Sequence, residues 1–207
     1  MIAIEKRFKN LLNKYTSDKK QIDQYWLELE KSYNFKSRYY HNLSHINELL
    51  QFYDKYEHEL IKKNVVLFAI FYHDIIYDIK KKDNEKQSAE FAKNSLKDLN
   101  IKQEIINFCY DYILATKKHN IDSSDTDLAY FLDFDMAVLG KDWEDYHIYT
   151  EKIRKEYQIY PSILYKKGRK KALESFLQTE QIYKTDAFFK LFEEQARKNI
   201  QKEINLL

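Results

Sequence analysis

The amino-acid sequence predicts an all-α protein, a helical bundle of about eight to ten helices with no significant sheet. Apolar residues recur at helical spacing along almost the whole chain, and no segment alternates with a period of two. Gly and Pro number only 2 and 1 in 207 residues, too few for the turns of a many-stranded β protein. The hydrophobic content of 44% is enough for a real core. A chain of this length forms one domain. Its core is expected at about 38–140, with N-terminal helices over 2–32 and C-terminal helices over 142–204 packed on it.

The elements follow in order. The first helix is predicted over 2–14, with Ile4, Phe8, Leu11 and Leu12 on one face. Asp18 opens a second that carries Tyr25, Trp26 and Leu29. A third spans 41–58, with Leu43, Ile46, Leu49, Leu50 and Tyr53 inward. The fourth, 64–79, is apolar nearly all round and is expected to be the central buried helix. Asn84 with Gln87 resembles a capping box opening a fifth over 85–98. The sixth covers 102–116. Asp125 caps a seventh over 126–139, and Gly140 marks its C-terminus. The eighth spans 142–157, the ninth starts at Pro161 and runs to 178, and Thr185 caps a last helix over 186–204.

Composition narrows the function classes. Lys+Arg 35 nearly balances Asp+Glu 33, for a net charge of +2, so no nucleic-acid polymer is expected as a partner. The single Cys109 excludes an intramolecular disulfide and fits a reducing compartment. The apolar run VVLFAIF is too short to span a bilayer, and MIAIEKRFKN lacks a secretory apolar region. A cytoplasmic protein without a membrane partner is expected. Oligomeric state is open, and a homo-oligomer is compatible with the amphipathic helices.

Two strings carry the chemistry, YHNLSH at 40–45 and FYHDIIYD at 71–78. In the second, His73 and Asp74 end an apolar run, where an ionised carboxylate costs several kcal/mol unless its charge is compensated. A divalent cation shared with histidines compensates it. His41 and His45 are four residues apart and share a helix face. Asn42 stands where a zincin has its Glu, which disfavours a metalloprotease. His73 and Asp74 diverge by about 100° on an ideal helix, yet one long and one short arm can meet at one ion. A further ligand is sought in AYFLDFDMAVLG, from Asp133 or Asp135. Such an N/O donor set suits Mn²⁺, Fe²⁺, Zn²⁺ or Mg²⁺, whereas a structural zinc would favour thiolates.

These residues resemble the HD superfamily of metal-dependent phosphohydrolases, all-helical proteins named for a His–Asp pair. YHNLSHI, FYHDIIYD, NEKQSAE, LATKKH, FLDFDMAVLG, IRKEY, GRKKALESFL and ARKNI together resemble one bacterial subfamily of predicted HD phosphohydrolases across about 38–204. The resemblance implies His45, His73, Asp74 and Asp135 as metal ligands, with Asp133 as a supporting partner. The YHN-x-x-H segment is also similar to the start of the cyclic nucleotide phosphodiesterase catalytic domain, which implies His41 as general acid. That family places a further His where this chain has Tyr77, so a two-metal centre and cyclic nucleotide specificity do not carry over.

The expected function is therefore a phosphohydrolase cleaving a small phosphorylated substrate, a nucleotide or another phosphomonoester. The cation would acidify water and polarise the phosphoryl oxygen. Asp74 or Asp135 would orient the water, and His41 would protonate the leaving oxygen. Arg38, Lys117, Lys118, Arg169 and Arg197 are candidates to neutralise phosphate charge. Glu85 and His119 are weaker candidates for substrate binding. His58 and His147 read as surface residues. KKGRKK at 166–171 reads as a solvated helix face with phosphate binding as its competitor. The alternative function is a catalytically silent metal- or nucleotide-binding module.

Overall fold

Short polar side chains start several of the helices, and the sequence placed most of them correctly. In the computed structural model, which describes residues 2–119 and 124–207, Asp18 caps α2 (Lys19–Tyr33) by accepting from the amides of Lys20 and Gln21. Asn42 caps α3 (Leu43–Tyr56), Asp142 caps α8 (Trp143–Glu156) and Thr185 caps α10 (Asp186–Leu206) in the same manner. Asp125 accepts from the amides of Asp127 and Leu128 at the start of α7 (Thr126–Met136). The remaining helices are α1 (Ile2–Leu12), α4 (Lys63–Tyr72), α5 (Asn84–Asp98), α6 (Gln103–Ala115) and α9 (Ser162–Leu177). Among the described residues there is no strand, and no helix is long and apolar enough to cross a membrane.

The chain divides into two compact units, Met1–Phe131 and Leu132–Leu207. The division falls inside α7, so that one continuous helix belongs to both.

In the first unit α4 is central. Every residue from Val65 to Tyr72 is buried, as its all-round apolar sequence requires, and α1, α3, α5 and α6 pack against it. Each large apolar side chain buried there contributes about 1.5–3 kcal/mol. Phe8 of α1 meets Phe71 edge-on, with ring centroids 5.0 Å apart. The carboxylate of Asp127, 1% exposed, accepts from the amides of Ile61 and Lys62 just ahead of α4. That bond satisfies donors which a helix start leaves open.

In the second unit α10 packs on a 3₁₀ turn, Ala137–Gly140. Gly140 was expected to mark a helix end, and the 3₁₀ turn that continues α7 does end there, without a positive φ. Its role is close approach: a Cβ at Gly140 would lie 2.4 Å from Phe192 Cβ and 2.8 Å from the Phe192 carbonyl oxygen. Asn199 reinforces the contact by donating to the carbonyls of Leu139 and Lys141.

Several expected boundaries and caps change. The third helix starts at Leu43, leaving His41 in the preceding turn. The fourth stops at Tyr72 instead of 79, because Arg38 and Ser88 bind the backbone of residues 74–76 from outside the helix. The seventh gives way to 3₁₀ geometry after Met136. Asn84 forms no capping box. It exchanges two hydrogen bonds with the Asp78 backbone, at 3.0 and 2.9 Å, and pins the loop before α5.

Candidate metal centre

The site is built where two helices meet end to start. His45 sits in the first turn of α3, because Asn42 opens that helix by accepting from the Ser44 amide at 2.8 Å. His73 is the residue on which α4 ends, with its own amide still bonded to the Ala69 carbonyl. Both imidazoles are sealed from solvent, at 2% and 1% exposure. Their Nε2 atoms face each other at 3.2 Å. His73 Nδ1 lies 2.9 Å from the Ile70 carbonyl. A carbonyl only accepts, so Nδ1 carries the proton and Nε2 presents its lone pair inward. Asp74, in the turn after α4, brings Oδ2 to 3.3 Å from His73 Nε2.

A divalent cation fits these donors. At metal–nitrogen distances of about 2.0–2.1 Å, two imidazole nitrogens stand roughly 2.9 Å apart at a right angle and roughly 3.3 Å apart at the tetrahedral angle. The observed separation lies between the two. His45, His73 and the half-buried Asp135 of α7 each offer a donor atom within 4.8 Å of the others. Asp74 is not part of this mutually close set; its Oδ2 stands 3.3 Å from His73 Nε2. The donors are nitrogen and oxygen, and the only thiol, Cys109, is buried in α6 with its pKa pushed up by burial.

Asp133 and Asp135 have separate jobs. The Asp133 carboxylate accepts from the Lys184 amide at 2.7 Å, the Thr185 amide at 2.8 Å and the Thr185 hydroxyl at 2.8 Å. Burial pushes its pKa up to about 6 against these bonds. It is a structural acid at the start of α10.

His41 lies outside α3 but remains near the centre. Its ring is half-buried, stacks on Tyr77 with centroids 4.3 Å apart, and stands 5.9 Å from the His45 ring. Tyr77 thus forms a wall against His41. Tyr40 flanks both histidine rings, at 5.0 and 4.9 Å.

The cationic candidates are placed otherwise than expected. Arg38 was assigned to substrate, but its guanidinium is buried and donates to the carbonyls of His41 (3.2 Å), Asp74 (2.6 Å) and Ile75 (2.9 Å). It lies over the rings of Tyr33 and Tyr77. Arg38 therefore clamps the two backbone segments that carry the histidines. Arg169 forms a bidentate pair with Glu203, at 2.8 and 3.0 Å, and donates to the Tyr149 hydroxyl. Arg197 donates to the Leu177, Thr179 and Glu180 carbonyls behind α9 and pairs with Glu193. These three arginines are spent on the protein's own acceptors. Lys117 donates to the Lys82 carbonyl and lies 3.4 Å from Glu85, so two expected substrate residues pair with each other. His119 follows α6 with φ of 48°, the left-handed conformation that ends a helix. His58 and His147 are exposed at 71% and 52%.

Sequence reasoning missed the residues that shape the loop after His73. Ser88 exchanges hydrogen bonds with the amide and carbonyl of Ile76. A serine inside a helical pattern gives no sign of this, since its partner lies twelve residues away.

No family model matches the chain. Neither the curated proteins nor the solved structures yield a match.

Proposed function

We propose that this protein is a metal-dependent phosphohydrolase of HD type that cleaves a phosphoester of a small molecule, a nucleotide or another phosphomonoester. One observation carries the reading. Two fully buried imidazoles direct their Nε2 atoms at each other across 3.2 Å with a carboxylate beside them. A cation shared by these nitrogens and the carboxylate would compensate the buried polar groups together. His45, His73, Asp74 and Asp135 would hold the ion. Mn²⁺, Fe²⁺, Zn²⁺ and Mg²⁺ all suit these donors.

Once bound, a divalent cation supplies Lewis acidity toward a phosphoryl oxygen and a supply of activated water near neutral pH. The chain does the rest. Ile70 fixes the tautomer of His73, and Arg38 holds the backbone on both sides of the donors. His41, less buried than the two donor histidines and braced by Tyr77, would hand a proton to the departing oxygen. The Asp74 carboxylate, 17% exposed, accepts a hydrogen bond from water and so sets its direction.

Elemental analysis and calorimetry with Mn²⁺ test the centre, and a screen of phosphomonoesters with several divalent ions tests the chemistry. Expected are about one ion per chain, phosphate release that requires it, and loss of both in His73→Ala. Asp74→Ala is expected to abolish turnover. A folded protein that binds none of the four ions refutes the centre. Tight metal binding with no phosphate release refutes hydrolysis and leaves a binding module.

A further inference from the structure

The KKGRKK segment has no part in the metal centre, and α9 shows what surrounds it. From Ser162 to Leu177 the helix has four lysines and Arg169 against one acid, Glu174. Arg169 turns inward to Glu203. Lys166, Lys167, Lys170 and Lys171 are all exposed, and among the described residues no carboxylate lies within ion-pair distance of any of them. Lys155, exposed in the last turn of α8, adds a fifth unpaired charge ahead of this face.

The turn before α9 and the first turn of the helix carry exposed apolar side chains. Ile159, Ile163 and Leu164 are 55%, 81% and 59% exposed. The turn is also stiff. Arg154 donates to the Tyr157 and Tyr160 carbonyls at 2.8 and 3.2 Å and stacks over Tyr165 at 4.6 Å. Pro161 fixes the backbone where the next helix begins. A part-buried network thus holds an aliphatic corner out in water, flanked by unpaired ammonium groups.

We infer that this corner docks on an anionic lipid surface, the lysines meeting headgroups while Ile159, Ile163 and Leu164 enter the acyl boundary. Such a surface takes up positive charge and aliphatic tips together. A second copy would bring the same lysines face to face across a two-fold axis. A nucleic acid would answer the charge, but it is gripped by stacking aromatics and arginines and leaves aliphatic tips in water. The expectation of no membrane partner came from the lack of a spanning segment, and peripheral docking needs none. This inference is independent of the metal centre.

The test is cosedimentation of the full chain with phosphatidylcholine vesicles, with and without phosphatidylserine, at about 0.15 M salt. Phosphatidylserine is expected to raise partitioning roughly a hundredfold or more, at about fivefold per lysine engaged. Lys166→Gln/Lys167→Gln/Lys170→Gln/Lys171→Gln is expected to lose that gain. Ile163→Ser/Leu164→Ser keeps every charge and is expected to lose at least tenfold. These side chains are exposed, and an unchanged melting curve checks that each variant folds. Wild-type protein that ignores phosphatidylserine overturns the inference. So does full retention of binding by Ile163→Ser/Leu164→Ser, or a preference for a DNA or RNA oligonucleotide over the vesicles.

Discussion

Replacing Asp133 by Ala separates a structural acid from the candidate metal ligand Asp135, two residues away. The Asp133 carboxylate is 1% exposed and accepts three hydrogen bonds, from the Lys184 amide, the Thr185 amide and the Thr185 hydroxyl. That hydroxyl in turn accepts from the Phe188 amide at 3.3 Å and caps α10. Alanine leaves the two amides without their acceptor, at about 1–3 kcal/mol each, and frees the capping hydroxyl to rotate, at up to about 1 kcal/mol. Removing a buried carboxylate whose pKa burial has pushed up to about 6 returns part of this. The net loss is about 3 kcal/mol. A chain of this size loses about 2–4 °C in Tm per kcal/mol, so the expected drop is about 6–12 °C by calorimetry or circular dichroism. A melting point within about 2 °C of wild type would refute the claim that Asp133 holds the start of α10.

Three more substitutions probe other joints of the fold. Gly140→Ala is expected to destabilise by at least about 1–3 kcal/mol in urea titration, because the new methyl meets the Phe192 backbone, which cannot swing aside. Gly168→Ala is expected to stabilise by about 0.5–1 kcal/mol, since a Cβ there meets nothing within 4 Å and the residue is helical; a neutral or negative change would show that α9 needs a glycine. Arg38→Lys keeps the charge but not the fork that spans three carbonyls. It is expected to weaken Mn²⁺ binding about tenfold or more by calorimetry while the helical circular dichroism is unchanged, and wild-type affinity would show that the clamp is dispensable.

What could be read from the sequence was local. Asp18, Asp125 and Thr185 cap helices through bonds to amides two or three residues on, so their neighbours announce them. The all-apolar turns of α4 likewise announce a buried helix. The end of α4 was illegible, since FYHDIIYD stays apolar and has neither Gly nor Pro. The helix stops because Arg38, 36 and 37 residues upstream of the carbonyls it binds, and Ser88, twelve residues downstream, take over hydrogen bonds that helix would have made. His73 and Asp74 stood out because charge and imidazole are out of place in an apolar run, whereas His45 was reached through its spacing from His41 and, like the choice of Asp135 over Asp133, through family resemblance. The roles of Arg38, Arg169 and Asp133 did not stand out, because each is decided by partners 34 to 52 residues away. A guanidinium facing a carbonyl and one facing a phosphate look the same in one dimension.

The bond from His73 to the Ile70 carbonyl bears on how this centre tolerates drift. Many metal-ligating histidines owe their orientation to another side chain, which one mutation can delete. Here the partner belongs to the main chain. Any residue that keeps the helix intact at position 70 supplies the same oxygen, so replacing Ile70 leaves the ring facing the same way. The neighbourhood can therefore diverge between lineages while the imidazole goes on offering the same nitrogen.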